Sequence, residues 1–507
     1  MKKQIVYLVG AGPGKEDLIS LRAIEKIKIA DVIIYDYLAN KKLLEYSKKG
    51  AELIYVGKKG GCHTLNQTEI NKLIVEKAKE GKIVVRLKGG DPYIFGRGGE
   101  EAEELVKNGI SFEVIPGITS ASGATAYAGI PLTHRDFTSS VAFITGHERE
   151  DTEYSKIHWD KISTGIGTLV FYMGVKNLPY IVEKLIENGR DISTPVAIIR
   201  WGTMPYQQTI TGTLENIVDI ANKKQIKPPA IIVVGEVVKL REKLRWFDIK
   251  PLFGKKIIVT RAREQASELT KKLEEEGAYV IEFPTIEITE PDDYSSLDKA
   301  IINLRNYNWI IFTSVNGVKF FLNRLRYYKK DIRELYGLKI CTIGPKTAKI
   351  FRDFGIEPDY IPEKYQAEYI IEGLKKYGIK GKKFLLPRAE VAREILPEKI
   401  KELGGEIDVV IAYKTVMPKD NRDEVLDLLK KGEINYITFT SSSTVKNFIK
   451  MIDGNLSLLK NVKLVSIGPI TSQTLKNFSL NPTLEAKNFT IEGLVEVILE
   501  DNLCGKQ

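Results

Sequence analysis

The sequence predicts an α/β fold organised as two modules of two lobes each, with parallel sheets in the second. Three observations predict it. The chain has 507 residues, enough for three or four domains at about 150 residues each and too many for one hydrophobic core. Short β-branched runs alternate with amphipathic stretches, the pattern of βαβ units. The second half carries an internal repeat. The string GKK precedes an apolar run at Gly254 and again 127 residues later at Gly381, and the same spacing joins Gly277 to Gly404 and Phe312 to Phe439. Ile343-Gly344-Pro345 and Ile467-Gly468-Pro469 follow in the same order, 124 residues apart.

In chain order, strands are predicted at Ile5–Val9, Val32–Tyr35, Leu53–Val56 and Ile83–Leu87, after which Pro116-Gly117 breaks the pattern. A second region carries strands at Val141–Thr145, Thr168–Tyr172, Val196–Arg200, Gln207–Thr211 and Ile231–Val234. The stretch Trp246 to Phe253, with Pro251, reads as the main linker. Beyond it come a strand at Ile257–Val259, a helix over Ser267 to Glu276 closed by Gly277, and strands at Tyr279–Phe283 and Trp309–Thr313. Parallel sheets present ligands at the carboxyl ends of their strands. The repeat therefore offers two rows of loops: Thr313–Gly317 with Gly344–Thr347, and Thr440–Ser443 with Gly468–Thr471. Hydroxyls and backbone N–H groups at helix starts suit carboxylates, and they also cap helices.

Composition narrows the class. A 43% hydrophobic and 28% charged chain is not disordered or collagen-like. The net charge of +10 fits either solubility or an anionic partner, nucleic acid or a small polyacid. The Lys residues are mostly scattered beside Glu on helical stretches, the ordinary solvated pattern, so no nucleic-acid partner is expected. Cys62, Cys341 and Cys504 lie far apart, and His63, His134, His147 and His158 lack a ligand spacing. Those counts exclude a disulfide scaffold, give no metal site and fit a reducing cytoplasm. No apolar run reaches the ~18 residues of a membrane span, and Ile5 to Val9 is too short for a signal peptide.

Two loops carry most of the chemical information. Gly10-Ala11-Gly12-Pro13-Gly14 lies between a strand and a helix, where a dinucleotide site is the obvious rival, with Asp36 as its acidic residue. The G-x-G-x-G spacing argues against that rival. So do Glu16 and Asp17, which would repel a pyrophosphate at the helix start. A ligand without phosphate, such as S-adenosylmethionine, escapes the objection. The second loop, Arg86-Leu87-Lys88-Gly89-Gly90-Asp91-Pro92, breaks out of a strand and runs on as YIFGRGGEE. Paired glycines let a backbone approach a ligand closely, and Asp91 can accept from an amine or a ribose.

These residues, with IPGITSASGATAYAGIPLTHRD, VFYMG, RWGT and VGKKGG, resemble uroporphyrinogen-III C-methyltransferase over about residues 3–245. The second half, about 254–500, resembles uroporphyrinogen-III synthase through VTRAREQASELTKKLEEEGAYVIEFPTIEI, IIFTSVNGV, IGPKT, LLPRAE, AYKTV and FTSSSTV. The resemblance implies a methyltransferase at 1–246 with lobes of about 1–115 and 118–246, a linker at 247–253, and a synthase at 254–507. The synthase lobes would be about 254–285 with 416–507, and 286–415.

The implied activity is cyclisation of hydroxymethylbilane to uroporphyrinogen III with inversion of ring D, then methylation at C2 and C7 to precorrin-2. The alternative is a corrin-pathway methyltransferase fused to a non-catalytic tetrapyrrole-binding module. By the same resemblance, Pro13, Gly89, Gly90, Asp91, Ile94, Thr119, Ser120, Met173 and Gly202 line an S-adenosylmethionine site, with Asp36 as general base and Lys58 as general acid. Arg97, Arg135 and His134 are candidate carboxylate partners for the substrate, with a structural role equally open for His134. The chain departs from the family pattern at Lys15, Ser120 and Gln208, where Asp, Ala and Arg are common. In the synthase half, Tyr413 is the hydrogen-bond donor to the leaving hydroxyl, and Ser314, Thr347, Ser442 and Thr471 hold acetate and propionate chains, joined by Arg261 and Arg388 unless these pair with nearby Glu residues. That half contains no His, so imidazole catalysis is excluded. The resemblance also implies a homodimer through the methyltransferase half, in the cytoplasm.

Overall fold

The computed structural model describes residues 5–57, 65–146, 156–261, 263–364, 367–391, 394–416, 418 and 422–504. The chain is α/β and divides into two compact units, one of residues 1–257 with 271–280 and 498–507, the other of residues 258–270 with 281–497. Among the described residues four five-stranded sheets account for the strands.

The first sheet contains β1 (Ile5–Gly10), β2 (Val32–Tyr35), β3 (Glu52–Tyr55), β4 (Ile83–Lys88) and β5 (Ser111–Ile115) in the order β3-β2-β4-β1-β5. Every pairing in it is parallel. Val6, Leu8 and Val9 of β1 and Val84, Val85 and Leu87 of β4 are fully buried, as central strands covered on both faces require. Arg86 interrupts this apolar run and is itself buried.

The second sheet contains β6 (Val141–Thr145), β7 (Thr168–Tyr172), β8 (Pro195–Arg200), β9 (Gln208–Thr213) and β10 (Ala230–Val234), ordered β6-β7-β10-β8-β9. It is mixed: β6 and β7 are parallel, whereas β10 runs antiparallel to both β7 and β8, and β8 to β9. The short β8–β9 connection through Trp201-Gly202-Thr203 leaves no length for a crossover, so these strands form a hairpin. The segment Trp246 to Phe253 is packed: Phe247 and Leu252 are buried, and the Phe247 ring lies 4.7 Å from that of Tyr127.

The remaining strands are β11 (Lys256–Val259), β12 (Tyr279–Glu282), β13 (Glu287–Thr289), β14 (Trp309–Phe312), β15 (Lys339–Thr342), β16 (Lys383–Ala389), β17 (Glu406–Val416), β18 (Tyr436–Phe439), β19 (Lys463–Ser466) and β20 (Leu484–Glu485). The third sheet is ordered β12-β11-β18-β19-β20 and the fourth β13-β17-β16-β14-β15. The fourth is parallel except where β13 meets β17. Aligning the repeats pairs β11 with β16, β12 with β17, β18 with β14 and β19 with β15, and the two sheets then share one strand order. Each sheet therefore draws on both copies of the sequence repeat.

The loops after the paired strands also match. Ser314 caps the helix Val315–Tyr327 by accepting from the Gly317 N–H, and Ser441 caps Ser442–Met451 by accepting from the Thr444 N–H. Gly344 and Gly468 each precede a helix that starts with proline, Pro345–Arg352 and Pro469–Asn477.

Candidate active sites

In the first unit, three loops cross at the carboxyl ends of β1, β4 and β5. The Ala11 N–H donates to the Lys88 carbonyl at 2.7 Å. Gly12 and Gly90 exchange backbone hydrogen bonds at 3.2 and 2.7 Å. Gly117 passes so close that a Cβ there would lie 2.3 Å from the Gly90 carbonyl oxygen, and one on Gly10 would lie 2.5 Å from the Gly117 nitrogen. Asp91 ties the crossing together. Its Oδ1 accepts from the Tyr93 N–H at 2.8 Å and its Oδ2 from the Gly117 N–H at 3.0 Å. One lone pair on each oxygen is thus engaged by backbone, leaving the second for a ligand.

The second sheet closes onto this crossing. Thr119, the cap residue of the helix Ser120–Tyr127, shares a 2.6 Å hydrogen bond with the Tyr172 hydroxyl, which also accepts from the Ala121 N–H at 3.2 Å. Burial pushes that phenol above its ordinary pKa and keeps it a neutral donor. Lys15 donates its backbone N–H to Thr203 Oγ1 at 3.0 Å, bringing the first glycine loop against the β8–β9 turn. A Cβ on Gly202 would lie 2.2 Å from Ala124 Cβ, one on Gly123 2.6 Å from Pro13, and one on Gly89 2.4 Å from Leu38. Ile94 packs on the apolar cluster beneath the helix Ser120–Tyr127. Pro13, Gly89, Gly90, Asp91, Thr119, Ser120 and Gly202 thus stand on loops and a helix start that touch one another, Ile94 packs on the adjoining apolar cluster, and Met173 follows Tyr172 at the end of β7.

Among the described residues nine non-glycine residues have positive φ, and five of them fall in the loops that follow β4, β7 and β8: Phe95, Arg97, Met173, Trp201 and Thr203. Each such residue costs of order 1–3 kcal/mol. Met173, at φ 56°, is half exposed. Strain concentrated in this way marks loops held to one shape by their surroundings.

Asp36 follows β2 on the same edge. Its Oδ1 accepts from the Leu38 N–H at 3.1 Å and its Oδ2 from Arg86 Nη2 at 3.2 Å. Arg86 Nε donates to Glu101 Oε1 at 3.1 Å, and Lys88 Nζ donates to the same oxygen at 2.7 Å. These three residues are all buried. They escape the motif reading, which assigns Arg86 and Lys88 no role beyond the strand end that leads into the Gly-rich loop; the available signal is two basic residues in alternation on an otherwise apolar strand. Lys58 lies outside the described residues. Arg97 is exposed and is held by Glu100 at 2.8 and 2.5 Å, and Arg135 is exposed. His134 Nδ1 accepts from the Asp136 N–H at 3.2 Å, a local turn contact.

In the second unit, Tyr413 near the end of β17 is buried, with its hydroxyl 3.0 Å from Ser314 Oγ. The Phe320 ring lies 5.7 Å from the Tyr413 ring. Thr347 stands in the first turn of the helix after β15, which pairs with β14 and is separated from β17 by β14 and β16. On the third sheet, Ser442 accepts from Thr474 Oγ1 at 2.8 Å, and Thr471 lies in the same helix as Thr474. Thr347 and Thr471 are equally buried, at 4% exposure. The counterpart of Ser314 is the capping residue Ser441, one position before the expected Ser442. Arg388, on β16, pairs with Glu394.

Among the described residues no group of His, Cys, Asp and Glu is placed to hold a metal ion, and no helix is long and apolar enough to cross a membrane. Residues 5–218 match the family described as Tetrapyrrole (Corrin/Porphyrin) Methylases, and residues 267–496 match Uroporphyrinogen-III synthase HemD. The Porphyrin biosynthesis protein HemD of Ruminiclostridium josui is 40% identical over 99% of this chain and 98% of its own length. The Uroporphyrinogen-III C-methyltransferase of Priestia megaterium is 58% identical over 46% of this chain and 98% of its own. A Thermus thermophilus uroporphyrin-III C-methyl transferase structure complexed with S-adenyl homocysteine aligns with 37% identity, covering 46% of this chain and 99% of that one, at a TM-score of 0.40. The chain therefore belongs to the family of the porphyrin biosynthesis protein HemD, in which a uroporphyrinogen-III C-methyltransferase half is joined to a uroporphyrinogen-III synthase half.

Proposed function

We propose that residues 254–507 cyclise hydroxymethylbilane to uroporphyrinogen III with inversion of ring D, and that residues 1–246 then methylate that product at C2 and C7 to give precorrin-2. The observation that carries this reading is the presence of two differently built sites in one chain. One is a strained crossing of glycine loops beside a fixed carboxylate, and the other is a buried tyrosine–serine hydroxyl pair at the edge of a mostly parallel sheet.

The glycine crossing suits S-adenosylmethionine. Its loops expose no side-chain charge except Asp91, which has free acceptor capacity for an amine or a ribose hydroxyl. Bound there, the group supplies a methyl already activated on a sulfonium. The chain's task is then orientation, and loops locked by close glycine contacts supply it without reorganisation. A proton must leave the ring system after methylation, and in this reading Asp36, fixed through both oxygens, takes it. Lys58 is its acid partner in this reading. The excess positive charge of the chain suits substrates that carry eight carboxylates.

Ring closure needs departure of a hydroxyl from an electron-rich pyrrole. Tyr413 donates to that hydroxyl, and Ser314, itself fixed by the Gly317 N–H, holds the phenol in place. Ser314, Thr347, Ser442 and Thr471 take the carboxylate side chains with the helix-start N–H groups beside them. The reading includes a homodimer through the first half and a cytoplasmic location. Sedimentation of the full chain tests the first and fractionation the second.

The deciding assay supplies hydroxymethylbilane with and without S-adenosylmethionine. Uroporphyrinogen III is expected without the methyl donor, and a product heavier by two methyl groups with it. Formation of the type I isomer alone overturns the synthase assignment. Tyr413→Phe is expected to slow cyclisation about 10²-fold, the lower end of what a positioned proton donor contributes, measured as the initial rate of type III isomer formation. A rate equal to the unsubstituted chain removes Tyr413 from the mechanism.

A further inference from the structure

We propose that the buried Arg86–Glu101–Lys88 cluster is a positioning device that aims the Asp36 carboxylate and sets the pH range in which it works. The inference rests on Asp36 being the base of methyl transfer.

The geometry forms a chain of contacts that ends at Asp36. Gln67 Nε2 and Lys88 Nζ both donate to Glu101 Oε1, at 3.2 and 2.7 Å. Glu101 in turn holds Arg86 Nε at 3.1 Å. Arg86 Nη1 is fixed by the carbonyls of Ile34 and Leu87 at 3.3 and 3.0 Å, which leaves Nη2 directed at Asp36 Oδ2. The guanidinium has no rotational freedom left, and neither has the carboxylate it holds, because Asp36 Oδ1 is tied to the Leu38 N–H.

Three parts of one motif build this device. Arg86 and Lys88 close β4, and Glu101 sits in the helix Gly98–Lys107 that follows the glycine-rich loop. The loop therefore returns the chain beneath its own starting strand. Stability alone does not explain the arrangement. A buried ionic cluster is commonly no more stabilising than apolar residues of similar volume, and the rest of β4 is apolar. Glu101 Oε2 is also buried without a hydrogen bond.

Charge supplies the functional argument. Two cations and one anion are buried together, leaving an excess of one positive charge facing Asp36. Changing any one of these charges therefore changes the field at Asp36. Burial pushes the Lys88 ammonium down, and the neighbouring Arg86 adds to the effect, while Glu101 and Asp36 oppose it. Among the described residues Tyr55 on β3 also feels Asp36: its hydroxyl is pushed up first by burial and then by the Asp36 charge, and it stays neutral.

The test is the pH dependence of methyl transfer by the full chain, with uroporphyrinogen III and S-adenosylmethionine as substrates. Arg86→Met removes a cation and is expected to move the acidic limb up by about one pH unit, with recovery of rate at higher pH. Lys88→Met makes the same charge change farther from Asp36 and is expected to move it less, in the same direction. Glu101→Gln adds a net positive charge and is expected to move the limb down. Opposite shifts within one cluster are not a signature of loosened packing. Circular dichroism identifies the folded variants, and Lys88→Met carries the test if Arg86→Met does not fold. Limbs that coincide with the unsubstituted chain in the folded variants overturn the proposal. Asp36→Asn separates the two readings. If it retains the acidic limb, the base assignment fails and this inference with it. If it abolishes the limb while the cluster variants leave it unmoved, only this inference fails.

Discussion

Asp36→Asn is expected to slow methyl transfer by about 10²- to 10⁴-fold, the range a positioned base contributes. Cyclisation in the same chain should proceed at its unsubstituted rate. The substitution keeps the size of the side chain and its acceptor towards the Leu38 N–H, so the local turn survives. The negative charge at the end of the Arg86 contact does not survive. A product analysis with hydroxymethylbilane and S-adenosylmethionine together therefore shows uroporphyrinogen III accumulating where the unsubstituted chain gives the dimethylated ring. Binding of S-adenosylhomocysteine should be unchanged, since Asp36 lies outside the glycine crossing. An equal fall in both activities would indicate unfolding instead, and unchanged methylation would remove the assigned role.

Gly117→Ala is expected to abolish methyl transfer and S-adenosylhomocysteine binding together. The new Cβ would meet the Gly90 carbonyl oxygen at 2.3 Å and the Gly10 Cα and carbonyl carbon at 2.8 and 2.9 Å. All three are backbone atoms, so no side-chain rotation relieves the clash and the loops must separate. Separation breaks the Asp91 bond to the Gly117 N–H and displaces the Gly12–Gly90 contact. A destabilisation of about 1–3 kcal/mol is expected from overpacking of this kind, read as a lower urea midpoint for the methyltransferase half. Gly99→Ala is the internal comparison. No heavy atom lies within 4 Å of its would-be Cβ, so helix propensity decides and stability should rise by about 0.5–1 kcal/mol. Equal behaviour of the two variants would mean that the crossing does not shape the site.

Much of this architecture was legible in the residues, for local reasons. β2, β6 and β7 coincide with their predicted bounds because β-branched runs flanked by polar turns admit no other reading. The paired glycines of the GGDP loop suggest close approach of backbone to a ligand, and what the structure shows is Gly10, Gly90 and Gly117 approaching one another. What escaped depends on residues that meet only after folding. The antiparallel course of β10 between β7 and β8 is a choice of neighbour that no local pattern contains. Glu101 is an ordinary helix glutamate until the Gly-rich loop lays its helix beneath Arg86. Tyr413 and Ser314 stand 99 residues apart in the chain and share one hydrogen bond. The choice of Ser442 over Ser441 reflects a run of three serines, in which only the backbone conformation identifies the cap.

The exchange of repeat halves between the third and fourth sheets has a consequence for how the second unit assembles. The strands of the fourth sheet, Glu287 to Val416, are contiguous in the chain and can pair as soon as that stretch exists. The third sheet cannot. Its hydrogen bonds from Thr260 to the Thr438 carbonyl, and from Thr438 back to the Ile258 carbonyl, close loops of 178 and 180 residues. Loop closure of that length is slow compared with local pairing. During synthesis the edge of β11 waits unpaired while the intervening lobe folds, and the β18–β19 segment completes the sheet last. A ribosome-stalled chain ending near residue 416 should therefore hold one folded sheet with an open strand beside it, the state most exposed to aggregation.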